Sequence, residues 1–494
     1  MLTSMLCSII DSFSYSVNLL KKHCSYLKLK SMNQYIALVL LILLQPLAFC
    51  LGASRPNILF ISIDDFNDWG PTQLDGEPFD VDTPNFDSLA AEGILFNNAH
   101  CNAPSCNPSR TSIMSGLHPA STGVYGNGHD WLVNERFDDI LLLPEYFKKH
   151  GYVTLGGGKI YHANQGSEFD RKGLFSPRGW DDFFPSFNAQ LPVPSMPDVK
   201  PKRGEGSFDW GGTGKPLEDM GDHKVVNWAI EQLEASRDEP LFLAVGIYRP
   251  HMPWFVPDAF YAQYGDVEIK PPTNPEGWEK NIPKPLLPSL RFKEYAGKPG
   301  PSRGYAACVS YADFELGRLL KGLEDSPIAD NTIVVVWTDH GWHLGEKEHF
   351  SKFTLWEEST RVPLLILKPG AKQKEVDTAV SLVDVYPTLL ALAGLPENEN
   401  NDGQNLLPII EAETDLNRAI VTSKRENYHA VRDGRYRYLK SEDAEALFDH
   451  FNDPRELHNI ANNPGSAAVI ERLSKALPTA PIPSMPKRIK PNAP

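Results

Sequence analysis

Three short apolar runs, each ending abruptly in charged or hydrogen-bonding side chains, constrain this chain more than any other feature. Residues 57–63 (N-I-L-F-I-S-I) run into Asp64-Asp65, and residues 332–338 (T-I-V-V-V-W-T) run into Asp339-His340. Residues 241–247 (L-F-L-A-V-G-I) lead into Y-R-P-H-M-P-W, which carries His251. Unbroken apolar character over so few residues is what a strand covered on both faces requires, the condition of strands in a parallel sheet. Residues 363–367 supply a further strand, and helical spacing fills the intervals at 86–92, 142–150, 222–235 and 305–323. The alternation predicts an α/β fold, a mostly parallel sheet between layers of helices. Ligands in such sheets gather beyond the carboxyl ends of the strands. The three polar clusters are therefore predicted to converge.

With 494 residues the chain is long enough for one large domain and a smaller one. Its net charge of −15 argues against nucleic acid as a partner, so any positive field must be local. At the N-terminus, residues 36–49 form an apolar run preceded by Lys28 and Lys30 and followed by Leu51-Gly52-Ala53. That run has signal-peptide length and is short for a membrane span. Met32 just before it marks residues 1–31 as an upstream extension and about 32–53 as the signal peptide. Cys50 raises a lipoprotein alternative, for which Phe49 is a poor neighbour. The expectation is a secreted or periplasmic protein with no stable membrane insertion once the leader is cleaved. Cys7, Cys24 and Cys50 leave with that leader, so Cys101, Cys106 and Cys308 remain and form no disulfide framework. Cys308 shares a helical stripe with Ala312, Leu316, Leu319 and Leu323, which predicts core packing.

The chemistry centres on residues 103–116, A-P-S-C-N-P-S-R-T-S-I-M-S-G. Here Cys106 sits on a proline-constrained turn ahead of a helix whose N-terminal dipole favours an anion. Arg110 adds a planar cation suited to an oxyanion. Asp64, Asp65, Asp339 and His340 make a hard, mainly oxygen donor set that suits Ca²⁺, with Mg²⁺ as the other candidate. The string C-x-P-S-R, formed by Cys106, Pro108, Ser109 and Arg110, resembles the signature of the sulfatase family. The D-H-G-W, G-K-I-Y-H and R-P-H-M-P-W strings resemble its iduronate-2-sulfatase branch.

That resemblance implies the alkaline-phosphatase-like α/β sandwich, closed by a small C-terminal α+β subdomain with an antiparallel sheet. It also implies that a formylglycine-generating enzyme oxidises Cys106 to 3-oxoalanine (formylglycine), whose hydrated aldehyde is the nucleophile. Asp64, Asp65, residue 106, Asp339 and His340 would hold the metal, with Arg110 keeping nucleophile and metal shell in place. Lys159 and Lys352 would contact the sulfate, with Lys347 as the rival for the second position. His162 and His251 would form the acid–base pair: His251 protonates the leaving oxygen, and His162 deprotonates the second hydroxyl to expel sulfate. Trp342 would line the sugar pocket, and His343 and His349 are expected to be ordinary surface residues. The glycines of residues 156–158 read as a loop that permits close backbone approach before Lys159 and His162. The implied substrate is a sulfate ester on a uronic-acid, algal or glycosaminoglycan carbohydrate. A phosphoester hydrolase on the same scaffold and a catalytically silent glycan-binding relative are the alternatives.

The C-terminal part changes character. Residues 377–395 read as strand then helix, 396–403 as a polar linker, and 428–439 as a hairpin around Asp433-Gly434. The expected division is a leader at 1–53, a catalytic domain at 54–400 and a C-terminal subdomain with tail at 401–494. At most one of Arg432, Arg435 and Arg437 is expected to reach an anionic sugar, and Arg361 is expected near Glu357 or Glu358. Sugar specificity is expected in the long stretch 186–221.

Overall fold

Strand β1 (Asn57–Asp64) is buried at all eight positions and forms the axis of the molecule. In this computed structural model the described residues are 55–67, 81–131, 134–162, 179–184, 208–265, 274–289, 291–292, 295, 298–411 and 418–487. The predicted leader and residues 186–207 of the predicted specificity stretch lie outside them. The large sheet is built from β1, β2 (Ile94–Phe96), β3 (Val153–Gly158), β4 (Asp182–Phe184), β5 (Leu241–Pro250), β6 (Thr332–Thr338), β7 (Leu364–Leu367) and β8 (Lys374–Val376). Its eight strands run in the order β8-β2-β7-β6-β1-β5-β3-β4. β1 pairs in parallel with β5 on one side and β6 on the other, and β5 pairs in parallel with β3. Only β7 runs against its neighbours, antiparallel to both β6 and β2. The sheet is mixed and mostly parallel, as the apolar runs predict.

Alternation along β1 explains how both faces are buried. Leu59, Ile61 and Ile63 enter one core, which also takes in residues of α1 (Pro84–Glu92), α4 (Gly221–Glu234) and α5 (Pro299–Glu324). Ile58 and Phe60 enter the other, shared with α2 (Cys106–Ser115), α3 (Leu143–Lys149) and α6 (Val385–Leu392). α5 begins six residues before its predicted start, because Pro299 and Pro301 fit the first helical turn, where their missing N–H groups cost nothing. Among the described residues, no helix is long and apolar enough to cross a membrane.

The glycine run at 156–158 corrects one expectation: it belongs to strand β3, not to a loop. A side chain on Gly157 would press on the Trp228 ring. One on Gly158, at φ +70, would collide with the Gly246 carbonyl on β5. The close approach does exist, but it is between adjacent strands, and it delivers Lys159 at the strand end with its N–H on the Gly246 carbonyl (3.1 Å).

A second, antiparallel sheet follows sequence order through β9 (Ile420–Arg425), β10 (Tyr428–Arg432), β11 (Tyr436–Lys440) and β12 (Glu445–Asp449). Asp433-Gly434 makes the predicted turn between β10 and β11. Arg437 on β11 is fully buried, paired with Glu357 and lying 2.5 Å from Glu456 Oε1. Arg432 also faces Glu357 (3.6 Å), and Arg435 pairs with Asp449 (2.6 Å). All three arginines hold carboxylates of the protein itself. Arg361 donates to the Asn97 carbonyl (2.9 Å). Breaking a buried pair by removing one partner costs about 3–5 kcal/mol, so Arg437→Ala should lose that much in urea denaturation at pH 7. Burial favours the neutral form of Glu357, but Arg437 and its other cationic neighbours outweigh it and hold the carboxyl well below its usual range. A depressed folded-state pKa stabilises at pH above the unfolded value and is lost as pH falls. The gap between wild type and Arg437→Ala should therefore narrow below about pH 4.

Candidate active site

Every strand in the middle of the sheet contributes a polar group at the same edge. β1 ends in Asp64 and continues to Asp65, β6 continues to Asp339 and His340, β3 to Lys159, and β5 to His251. Cys106 is the first residue of α2, a helix buried along its whole length and closed by Gly116 in the left-handed conformation (φ 71). The predicted convergence is present.

Arg110 ties these pieces together. Its Nε donates to Asp339 Oδ2 (2.8 Å), one Nη to Asp64 Oδ1 (3.1 Å), and the other to Ser62 Oγ (3.3 Å) and the Ile160 carbonyl (3.1 Å). The Lys159 carbonyl accepts from the same nitrogen. Ser109 Oγ donates to the Asp339 carbonyl at 2.6 Å. The P-S-R part of the motif thus fastens α2 to the ends of β1, β3 and β6. Asp65 adopts φ 60, a left-handed value that costs a non-glycine residue on the order of 1 kcal/mol or more. Two contacts hold it there: the Tyr305 hydroxyl donates to its carbonyl (2.8 Å), and its N–H donates to Asp339 Oδ1 (3.1 Å).

Cationic and imidazole groups crowd the Cys106 sulfur. Lys352 Nζ lies 2.9 Å from Sγ and 2.6 Å from Asp65 Oδ1. His340 Nε2 lies 3.3 Å from Sγ, and Lys159 Nζ, ion-paired with Asp64, lies 3.8 Å away. Burial opposes the thiolate, but Lys159, Lys352 and His340 prevail and hold the Cys106 pKa well below the usual thiol value, with a hydrogen bond from His162 acting the same way. His251 Nε2 is 3.8 Å from Asp65 Oδ2. By contrast, burial pushes the Cys101 and Cys308 thiols up. Burial outweighs the opposing cation in each case, Arg437 for Cys101 and Arg249 for Cys308.

Three expectations from sequence are revised. Trp342 does not line an open pocket: it is 1 % exposed, packs edge-on against Trp254 with ring centroids 5.8 Å apart, and lies under the Lys352 ammonium (5.6 Å). Lys347 is removed from contention, because its Nζ is 2.6 Å from Glu358 Oε1 and sits over the Trp356 ring. His343 and His349 are buried rather than on the surface. His349 Nε2 lies 2.8 Å from the Lys352 carbonyl and Nδ1 2.9 Å from the Ser289 carbonyl, which fixes the turn presenting Lys352. Tyr305 and Tyr248, whose ring centroid lies 5.0 Å from Lys159 Nζ, are not marked out by the sequence, because an aromatic ring in an apolar stripe gives no sign of a polar task.

The donor chemistry fits a divalent cation. One atom each from Asp65, Cys106, Asp339 and His340 lie within 4.8 Å of one another, and Asp64, Asp65 and His251 form an overlapping group. Asp65 Oδ2 is buried without a hydrogen-bond partner among the described residues. Burial raises the Asp64 pKa well above its usual value, and Asp339 and Asp65 add to the repulsion despite Lys159. A hard cation would stabilise so much buried carboxylate in one place.

The model of the family described as Sulfatase matches residues 56–395. The chain belongs to the sulfatase family. It is a sulfuric ester hydrolase, and its alkaline-phosphatase-like architecture is that of the family. A second family model, N-sulphoglucosamine sulphohydrolase C-terminal, matches residues 345–481 of this sulfatase. The protein is 37 % identical over 455 residues to a sulfatase of Formosa agariphila, with 86 % of each chain covered. It is 30 % identical over 392 residues to iduronate 2-sulfatase of Homo sapiens, with 69 % of each covered. A solved structure in complex with its substrate D-glucosamine-2-N,6-O-disulfate aligns with a TM-score of 0.66 at 22 % identity, covering 85 % of this chain and 96 % of that one. A phosphonate monoester hydrolase from Silicibacter pomeroyi aligns at 0.70 and 21 % identity, covering 85 % and 94 %. At such identities the likeness is one of fold.

Proposed function

We propose that this sulfatase removes a sulfate ester from a sulfated, uronic-acid-containing carbohydrate, with Cys106 converted to formylglycine and Ca²⁺ held by Asp64, Asp65, residue 106, Asp339 and His340. The observation that carries the reading is the position of Cys106 Sγ, buried between two lysine ammonium groups and the donor set of a hard cation. The cation would supply Lewis-acid charge beside residue 106, and the hydrated aldehyde the oxygen nucleophile with a second hydroxyl that a thiol lacks. Lys159 and Lys352 bind the sulfate oxygens and neutralise the charge that shifts in the transition state. Burial opposes the Lys352 ammonium, but its Asp65 and Cys106 neighbours outweigh it and keep the group protonated.

His251 carries the leaving-group proton. Burial lowers its pKa to about 4, with Lys159 pushing the same way. Its Nδ1–H donates to the Met252 carbonyl (2.7 Å), so Nε2 faces the site unprotonated. An anionic sulfate ester between the lysines raises that pKa, and the ring then holds a proton for the sugar oxygen. His162 is the base that releases sulfate. Its pKa is lowered by burial, which suits a neutral acceptor. Export follows from the leader, and a formylglycine-generating enzyme acts during maturation.

The test is turnover of matched sulfate and phosphate esters by aldehyde-bearing protein, followed by sulfated uronic-acid oligosaccharides. A phosphate ester hydrolysed faster than its sulfate counterpart contradicts the reading. Chelation should abolish activity and lower the melting temperature. A cation held at 100 times its Kd contributes about 2.7 kcal/mol to the folded state. Calcium should restore both, which differential scanning calorimetry and a parallel assay will show.

A further inference from the structure

A cleft of about 670 Å³ opens between the segment Tyr125–His129 and the ends of β9 and β10. Both walls are anchored to the residues around Cys106. Asn107 Nδ2 donates to the carbonyls of Gly126 (3.1 Å) and His129 (2.8 Å), and its N–H donates to Asn127 Oδ1 (3.0 Å). On the opposite wall, Thr422 Oγ1 donates to the Cys101 carbonyl (2.6 Å) and the Ser423 N–H to the Asn102 carbonyl (2.8 Å). The next residue, Lys424, lies near enough to His349 to disfavour its protonation, and His349 holds the backbone of Lys352. The walls of the cleft are therefore hydrogen-bonded to the residue following the nucleophile and to the stretch leading into it.

Its lining carries three cationic side chains and three carboxylates, in a chain whose net charge is −15. Lys424, Arg425 and Lys487 all line it, and no ion pair engages their side chains among the described residues. Lys424 is half-buried with its ammonium 5.4 Å from the Tyr428 ring centroid, and burial, aided by Arg425, lowers its pKa to about 8. Of the carboxylates present, Glu426 already accepts the Ser484 N–H, and Glu442 and Asp443 are exposed. A half-buried ammonium beside two further cations gains from an incoming anion, which restores the lost solvation and relieves the repulsion.

We propose that this cleft is an anionic subsite, in which Lys424, with Arg425 and Lys487, takes a sulfate or carboxylate on the sugar adjacent to the one losing its sulfate. The assignment rests on the sulfated-carbohydrate reading above and adds a preference for chains over single sugars. The test uses full-length protein in two forms. Unconverted Cys106 protein is titrated by calorimetry with a disulfated uronic-acid disaccharide, with the same disaccharide after carboxyl reduction, and with its monosulfated counterpart. Aldehyde-bearing protein is assayed on the disaccharide and on 4-nitrophenyl sulfate. Lys424→Ala should weaken disaccharide binding about tenfold, or about 1.4 kcal/mol. It should raise KM for the disaccharide and leave aryl sulfate turnover unchanged, and Lys424→Arg should retain wild-type binding. The analogue on which Lys424→Ala has no effect identifies the anion bound. Equal disaccharide affinity in wild type and Lys424→Ala, no binding by either, or an equal loss on aryl sulfate overturns the subsite. Binding that depends on Lys424 without hydrolysis would leave the subsite standing and remove the proposed substrate; hydrolysis indifferent to Lys424 would do the reverse.

Discussion

Cys106→Ala should lose about four orders of magnitude or more in kcat/KM on any sulfate ester, while still binding the ester. Alanine removes the nucleophile but leaves the rest of the site in place. Lys352 keeps its 2.6 Å contact to Asp65, Lys159 keeps Asp64, and Arg110 keeps Asp64 and Asp339. The charges proposed to bind the sulfate survive the substitution, so affinity for an unreacted ester should change little. That separation is the informative result. A fall in binding equal to the fall in turnover would mean that residue 106 acts as a binding group, and the assigned role would be wrong.

Arg110→Ala should damage the fold severely. The guanidinium is fully buried and joins two carboxylates, a serine hydroxyl and two backbone carbonyls, with the Trp337 ring centroid 5.4 Å away. Its removal leaves Asp64 and Asp339 facing each other without their shared cation. Stranding a buried charge costs about 3–5 kcal/mol, a large part of the 5–15 kcal/mol typical of a whole domain. Arg110→Lys should recover only part of the loss, because an ammonium cannot span both carboxylates as the planar fork does. Urea denaturation with saturating calcium measures both variants. Stability of Arg110→Ala within about 1 kcal/mol of wild type would contradict this account of the site's architecture.

Much of the sheet was legible because a strand covered on both faces must be apolar throughout, and β1, β5 and β6 are. Each then meets the site abruptly, so the polar residues that follow stand out. β2 and β3 were not legible. β2 is three residues long, and β3 is half glycine, chosen for contact with Phe183, Trp228 and Gly246 rather than for strand propensity. Cys106, Arg110 and the carboxylates were legible through the spacing of C-x-P-S-R and the adjacency of Asp64 to Asp65. The burial of Trp342, His343 and His349 was not. The turn from Gly341 to Lys352 folds inward, held by backbone carbonyls and by Thr354, and local sequence carries no mark of such distant acceptors. The same holds for Lys424, whose place in the cleft depends on β9 reaching back to Cys101 and Asn102.

The measurement that bears most directly on the central claim is peptide mass spectrometry of residue 106, in protein co-produced with a formylglycine-generating enzyme and graded by hydroxylamine trapping. The account predicts the mass of an aldehyde in place of the thiol and sulfatase activity that rises in proportion to the trapped aldehyde fraction. Full activity in protein whose residue 106 is wholly thiol would contradict it.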